Sequence, residues 1–225
     1  MFYLIPTKRG IGVELWGTID DLRVLYDTVA KFWEQEELST MHGSKNRDFL
    51  MSGFSYEIRK AYSGQRLKRE LGHYSYEPLP HYGCQFSWPH ILFSLTVIRT
   101  NMRFVESNRY DLGVFLQLEH ELQKCMMEFD GQGAIGLQHF ISGAIYGDNE
   151  YLYHYMRSIN ADFIALGGGK TAFRQLSKLM KKASFGSQEY DNYRTFLLTQ
   201  AHINKCEVDD LELSDDHIDY ENIKW

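Results

Sequence analysis

The sequence predicts an α+β fold that is mainly helical, in which a small N-terminal β-hairpin or sheet packs on helices. Short β-prone segments open the chain, and apolar residues then recur every three or four positions through most of the remainder. A chain of 225 residues can bury about 70% of its unfolded surface, so it can hold a core without disulfides.

The first two strands and the first helix follow directly from local patterns. Residues 2–6 and 12–16 are β-prone and flank a turn in which Gly10 is available, so they predict a hairpin. A helix is predicted at residues 20–36 because the apolar residues of this stretch share one helical face. Thr18, just before it, can cap its first turn.

The next part of the chain has weaker signals. Gly64 is expected to end a short helix, and the segment that contains Pro78 and Pro80 is expected to be a loop. The predicted elements are a loop at 37–47, a short helix at 54–62, and two more strands at 65–71 and 82–86.

Helices are predicted for most of the rest. Ser87 and Pro89 predict a helix start, with the helix running to about residue 103, and Asn108 with Asp111 repeats the capping pattern before a long apolar stripe. After Gly131, helical segments are predicted near residues 137–146, 150–166, 171–184 and 188–205.

Charge divides the chain unevenly. Residues 207–225 hold eight of the thirty carboxylates and one basic residue, which leaves 22 acidic against 23 basic residues in 1–206. We therefore expect an α+β domain at 1–130, a helical region at 131–206 in the same globular unit, and an acidic tail at 207–225 that is exposed or docked.

The cysteines and the apolar stretches limit the class of protein. Three cysteines without a C-x-x-C pair argue against a disulfide framework or a zinc site and favour a reducing cytoplasm. The N-terminus lacks the pattern of a signal peptide, and the longest apolar stretch, residues 91–98, is far shorter than the ~20 residues that span a bilayer. We predict no membrane association.

Two basic segments are the candidate anion-binding sites. One side of a predicted helix carries Lys170, Arg174, Lys178, Lys181 and Lys182, and no carboxylate occurs between Asp162 and Glu189. A second segment holds Arg59, Arg66 and Lys68. A solvated helix face and an edge strand guarded by charge are the alternatives to phosphate binding in these two segments.

Signals for catalysis are few. Residues 167–171 read GGGKT, which resembles the end of a phosphate-binding loop, but Ile164 stands where the first glycine of that motif would be. Cys84 is close in sequence to His81 and His90, although a buried thiol is the commoner role. The histidines form no metal motif, so neither a metal nor a cofactor is predicted.

Three blocks of sequence resemble a bacterial family known only as a domain of unknown function. The blocks are GVELWG with the helix that contains Asp21-Leu22 and Leu25-Tyr26, YEIRKAYSG at 56–64, and FSWPHILF at 86–93. The resemblance covers roughly residues 1–130. It implies a bacterial, intracellular protein and carries over no activity.

The hypothesis from the sequence is a non-enzymatic binding protein, with catalytic residues unassigned and oligomeric state open. Its basic helix face would bind nucleic acid or another anionic partner, and the acidic tail would compete for the same surface. One alternative is a phosphate-ester or nucleotide-dependent enzyme that uses the 167–171 loop. The other is a protein–protein interaction module that docks through its acidic tail.

Overall fold

The computed structural model describes residues 1–33, 35–71 and 79–225, and its fold is α+β and mainly helical, as predicted. Four strands form one antiparallel sheet in the order β1-β2-β4-β3. The strands are β1 (Tyr3–Pro6), β2 (Gly12–Gly17), β3 (Leu67–Leu71) and β4 (Leu79–Ser87). The α-helices of the described residues are α1 (Ile19–Ala30), α2 (Glu36–Ser39), α3 (Ser44–Tyr62), α4 (Trp88–Asn101), α5 (Arg109–His139), α6 (Leu152–Ala165), α7 (Gly169–Leu179) and α8 (Gln188–Asn204).

The predicted hairpin is present, and its second strand lies in the middle of the sheet. The Thr7 amide donates to the Gly12 carbonyl at 2.9 Å to close the turn. Gly12 lies opposite Ser87 of β4, where a Cβ would stand only 1.8 Å from the carbonyl oxygen of Phe86. The close approach of β2 and β4 therefore requires glycine at position 12.

The two further strands predicted from the sequence also join the sheet, as β3 and β4. Pro80, which was expected in a loop, lies in β4 opposite Glu70 of β3. This is possible because β2 pairs only with Tyr82–Ser87, so β4 needs no second partner at Pro80. Pro78 lies outside the described residues.

Two helix boundaries predicted from the sequence are wrong. α1 ends at Ala30 rather than at residue 36, and α3 begins at Ser44, ten residues before the predicted start. Asn46 and Arg47 explain the second error, because both are polar and both are buried in the first turns of α3. Hydropathy cannot reveal polar side chains that face the interior.

Helix α4 lies at the centre of the molecule. Ser87 caps it, as predicted, by accepting a hydrogen bond from the His90 amide at 3.2 Å. Nearly every α4 side chain is buried, because the helix packs against α3, α6, β4 and the π-helical turn at Phe140–Ala144.

Helix α5 starts with the predicted capping pair, in which Asn108 and Asp111 each accept a hydrogen bond from the other's amide. The sequence predicted a separate helical segment after Gly131, from about residue 137. The structure shows a kink instead, at Asp130 (φ −160°, ψ 102°), after which the helix continues to His139. Gly133 is needed beyond the kink because a Cβ there would lie 2.5 Å from the ring of Phe173.

Candidate functional site

A cavity of about 660 Å³ lies between α3, β4 and α6. Residues 207–225, here called the C-terminal segment, contribute Tyr220 and Trp225 to its wall. A volume of this size is in the range of small-molecule sites in proteins. Six aromatic side chains line it: Phe49, Tyr56, Phe86, Tyr153, Tyr220 and Trp225.

Helix α3 forms one wall with residues spaced by four and three positions. Phe49, Gly53 and Tyr56 therefore lie on the same side of the helix, and all three line the cavity. Gly53 faces His90 of α4, and a Cβ at position 53 would lie 3.8 Å from the imidazole ring. That distance is an ordinary van der Waals contact, so a small side chain fits at this position.

Helix α6 forms another wall and holds the C-terminal segment in place. The Arg157 guanidinium donates through Nε to Asp215, whose side chain is fully buried, and through Nη1 to the Tyr153 hydroxyl at 2.9 Å. The Tyr220 hydroxyl also donates to Asp215 and accepts a hydrogen bond from Asn160 Nδ2. These bonds tie the C-terminal segment to the helix that lines the cavity.

The electrostatics of this cluster fix the protonation states of Arg157 and Tyr220. Burial lowers the pKa of Arg157, but its hydrogen bond to Asp215 and the charge of that carboxylate outweigh burial, so the pKa of Arg157 is raised overall. Burial and the hydrogen bond to Asp215 raise the pKa of Tyr220. Arg157 stays charged and Tyr220 stays neutral at physiological pH.

A second ion pair lies at a partly exposed part of the wall. Arg66 donates two hydrogen bonds to Glu57, from Nε at 2.6 Å and from Nη2 at 2.9 Å. This bidentate pairing raises the pKa of Arg66. The guanidinium also lies 5.9 Å from the centre of the Tyr56 ring.

His90 is a neutral side chain beside the cavity. Its removal from water lowers its pKa to about 4, against the effect of a hydrogen bond to the backbone of Leu50. Burial raises the pKa of the neighbouring Cys84 thiol, and no hydrogen bond joins Cys84 to His90 within the described part of the chain. The Cys–His pair considered from the sequence is therefore not formed with His90, and His81 lies within hydrogen-bond distance of the Tyr3 hydroxyl (3.3 Å).

Acidification from pH 7 to pH 5 is expected to lower the free energy of unfolding, and His90→Gln should remove about 2 kcal/mol of that loss. In the unfolded chain His90 takes up its proton near pH 6.5, whereas in the folded protein it does so only near pH 4. Between these values the unfolded state binds more protons, so stability falls as the pH falls. Urea unfolding at pH 7.5, 6 and 5 measures the effect.

Burial also lowers the pKa values of His81 and His154, so part of the pH dependence will remain in the variant. His120→Gln, which removes an exposed histidine of α5, is the matched control for the substitution itself. An unchanged profile in His90→Gln would show that His90 is hydrated in the folded protein.

Comparison with known proteins identifies the family to which this chain belongs. The chain matches the family described as Domain of unknown function (DUF6904) over residues 2–225. It belongs to this family. No curated protein and no solved structure matches the chain. The family resemblance predicted from residues 1–130 is thus confirmed and extends through the helical region and the C-terminal segment.

In this DUF6904 chain, the eight basic residues predicted as anion-binding do not form one group. Arg66 lines the cavity, while Arg59 and Lys68 are exposed on α3 and β3. The other five lie on α7 and the turn after it: Lys170, Arg174, Lys178, Lys181 and Lys182.

Two of the five are already paired. Arg174 donates two hydrogen bonds to Asp130, at 2.7 and 2.9 Å, and these bonds lower the pKa of Asp130 to about 2. Lys182 donates to Asp162 at 2.8 Å and to the Ser158 hydroxyl at 2.9 Å.

The GGGKT segment lacks the setting of a phosphate-binding loop. It connects α6 to α7, whereas that motif requires a strand before the loop. The Gly169 amide, which would have to face a phosphate, donates to the Arg9 carbonyl at 2.7 Å. The structure therefore favours the simpler interpretation, a glycine-rich end of one helix followed by the start of the next.

The C-terminal segment docks on its own chain, but away from α7. Asp209 accepts hydrogen bonds from Asn46 Nδ2 at 2.9 Å and from Lys45 Nζ at 2.8 Å. Asp215 and Asp216 both accept from Arg157. These pairs of Asp209, Asp215 and Asp216 involve α3 and α6. The predicted competition of this segment for the α7 surface stays a prediction.

Sequence reasoning missed two groups of residues. Arg157 and Asp215 form the buried pair beside the cavity, and they are 58 positions apart in residues that carry no local motif. Lys8 and Arg9 lie in the hairpin turn that contacts the start of α7. Their positive charge was visible in the sequence, but nothing in it indicated that the turn meets α7.

Metal-ligand clusters and membrane-spanning helices are both absent from residues 1–33, 35–71 and 79–225. In these ranges no group of three or more histidine, cysteine, aspartate or glutamate side chains is placed to hold a metal ion. None of their helices combines the length and the apolar character needed to cross a bilayer.

Proposed function

We propose that this protein binds a small, uncharged and partly aromatic molecule in the cavity between α3, β4 and α6. The observation that carries the proposal is the wall itself, in which six aromatic side chains surround about 660 Å³ of space. Binding sites for small molecules typically combine such apolar and aromatic surfaces with a few polar groups that set orientation.

The charges of the wall support an uncharged ligand. Both guanidinium groups of the cavity already have carboxylate partners, Arg66 with Glu57 and Arg157 with Asp215. An anion would have to displace one of these carboxylates, and a cation would lie close to an arginine. Because a buried charge is stable only when it is paired, a neutral molecule disturbs the wall least.

Two polar atoms indicate what hydrogen bonds the ligand would make. His90 Nε2 and Asn160 Oδ1 are buried and have no hydrogen-bond partner in the described part of the chain, and both residues line the cavity. Asn160 Oδ1 is an acceptor, and Nε2 of a neutral imidazole is an acceptor when Nδ1 carries the proton. Neither atom is exposed to the cavity as the wall stands, so a ligand N–H or O–H would reach one of them only after a side-chain movement. That bond would relieve the cost of an unpaired buried acceptor, about 1–3 kcal/mol.

N-phenyl-1-naphthylamine, an uncharged aromatic dye with one N–H group, is a suitable probe. We expect a saturable rise of its fluorescence with the wild-type protein, and a loss of affinity of about tenfold or more in Gly53→Leu, because the larger side chain fills space beside His90. Gly53→Ala is the matched control and should bind normally, since a Cβ fits at this position.

A second dye tests the requirement for neutrality. 1-Anilinonaphthalene-8-sulfonate has the same aromatic frame with an added sulfonate, and we expect it to bind more weakly than the neutral dye. The proposal would be contradicted if Gly53→Leu, shown to be folded by circular dichroism, bound the dyes with the same affinity as the wild type. It would also be contradicted if the charged dye bound the wild type as tightly as the neutral dye. Absence of any saturable binding of the neutral dye would contradict it as well.

A further inference from the structure

The turn of the N-terminal hairpin and the start of α7 are joined through their backbones. The Gly169 amide donates to the Arg9 carbonyl at 2.7 Å, and a Cβ on Gly168 would lie 2.5 Å from the same carbonyl oxygen. Two basic segments that are 160 positions apart in the sequence, one with Lys8 and Arg9 and the other with Lys170, therefore meet on the surface.

A buried aromatic cluster packs beneath the contact between the hairpin turn and α7. The Trp88 indole donates to the Gly10 carbonyl at 3.0 Å, and its ring packs on Phe129 and Phe173, with centroid distances of 5.9 and 4.9 Å. Trp88 and Phe173 are fully buried. Because these rings are fixed by packing, the turn and α7 form a rigid support for the basic side chains above them.

The side chains of this surface carry a concentrated positive charge. The basic surface is defined here as Lys8, Arg9, Lys170, Arg174, Lys178 and Lys181, all of which are exposed. Arg174 pairs with Asp130, and the other five have no ion-pair partner in the described residues. Positions 170, 174 and 178 share one face of α7, so their charges point the same way, and Lys181 lies in the 3₁₀ turn that continues the helix.

We propose that the basic surface binds the phosphate backbone of double-stranded nucleic acid without reading its sequence. Lys170 and Lys181 are eleven residues apart, which is about 16 Å along the helix or the rise of about five base pairs. The exposed face of α7 carries no aromatic side chain, whereas proteins that bind single strands stack bases on aromatic rings. The proposal is independent of the ligand proposed for the cavity.

An anionic membrane fits the same charges less well. Helices that lie in a membrane surface insert an apolar face between the lipids. The apolar face of α7 is occupied within the protein, since Phe173, Leu176 and Met180 are all buried. The residues that α7 and the turn after it present to solvent are polar.

The residues Arg59 and Lys68, also predicted as anion-binding, lie elsewhere on the molecule. Lys68 belongs to β3, which forms the edge of the sheet opposite to β1. Three strand spacings separate these edges, or about 14 Å. Both side chains are exposed and have no ion-pair partner in the described ranges, so they offer a matched control for the basic surface.

The test is fluorescence anisotropy with a labelled 20-base-pair DNA duplex at 25–200 mM salt, with the full chain. Five phosphate contacts predict a slope of about −4 to −5 in a plot of log affinity against log salt. Lys8→Gln/Arg9→Gln and Lys170→Gln/Lys178→Gln should each reduce the magnitude of the slope by about two and weaken binding at 100 mM salt by about 60-fold. Arg59→Gln/Lys68→Gln should bind as the wild type does.

Four outcomes would overturn the proposal. The first is no binding at 25 mM salt, and the second is an equal loss in the Arg59→Gln/Lys68→Gln control, which would indicate a general effect of charge. The third is normal binding by Lys8→Gln/Arg9→Gln, which would show that the turn takes no part. Binding to vesicles of phosphatidylserine and phosphatidylcholine but not to DNA would assign the surface to membranes and equally overturn it.

Discussion

Arg157→Ala is expected to lower the free energy of unfolding by about 3–5 kcal/mol. The substitution removes the cation beside Asp215, whose side chain is fully buried, and leaves that carboxylate in the interior without a counter-charge. It also removes the bond to the Tyr153 hydroxyl. Urea unfolding followed by circular dichroism measures the change.

Arg103→Ala is the matched control for this substitution. Arg103 makes an equally good pair with Asp148, with two hydrogen bonds at 2.9 and 3.1 Å, but the side chains of this pair are 56% and 36% exposed. A solvent-exposed pair contributes about 0–1 kcal/mol, so the control should be close to wild type. A loss in Arg157→Ala no larger than that in the control would mean that water reaches Asp215 and that the C-terminal segment is not docked.

Gly12→Ala is expected to lower the free energy of unfolding by about 3 kcal/mol or more, and the thermal midpoint by roughly 6–12 °C. The added Cβ would stand 1.8 Å from the carbonyl oxygen of Phe86 and 2.7 Å from the Cα of Ser87. These are backbone atoms of β4, so no side-chain rotation relieves the contact, and the pairing of β2 with β4 must open.

Gly113→Ala is the matched control, a glycine-to-alanine substitution that is not expected to lower the free energy of unfolding. Gly113 lies in α5, where a Cβ would meet nothing within 4 Å. Alanine is more stable than glycine in a helix by about 1 kcal/mol, so this variant should be as stable as the wild type or slightly more stable. If differential scanning calorimetry gave the two variants equal midpoints, the close contact of β2 with β4 would be refuted.

Local signals predicted much of the fold. The capping residues Thr18, Ser87 and Asn108 marked the starts of α1, α4 and α5, and the β-prone segments marked the sheet. The start of α3 was missed because most partners of Asn46 and Arg47 lie far along the chain. Asn46 bonds to Asp209 and to the Tyr153 amide, and Arg47 to carbonyls at 42 and 147. Burial of polar groups depends on such partners, which no local pattern contains.

The candidate site was less predictable than the fold. The cavity combines residues from α3, β4, α6 and the C-terminal segment, which meet only in the folded chain. The composition of the C-terminal segment is typical of an exposed acidic tail, yet Val208 and Asp215 are buried. The basic face of α7 could be read from the sequence, whereas its junction with Lys8 and Arg9 depends on backbone contacts.

The docking of the C-terminal segment changes what the net charge of −6 means for the outer surface. Asp209, Asp215 and Asp216 act as counter-ions for Lys45 and Arg157, so two of their three negative charges are compensated where they lie. At physiological ionic strength, fields from exposed charges decay within about 8 Å. An approaching polyanion would therefore meet the local potential of the α7 face, and the acidic isoelectric point of the whole chain is a poor guide to what that face attracts.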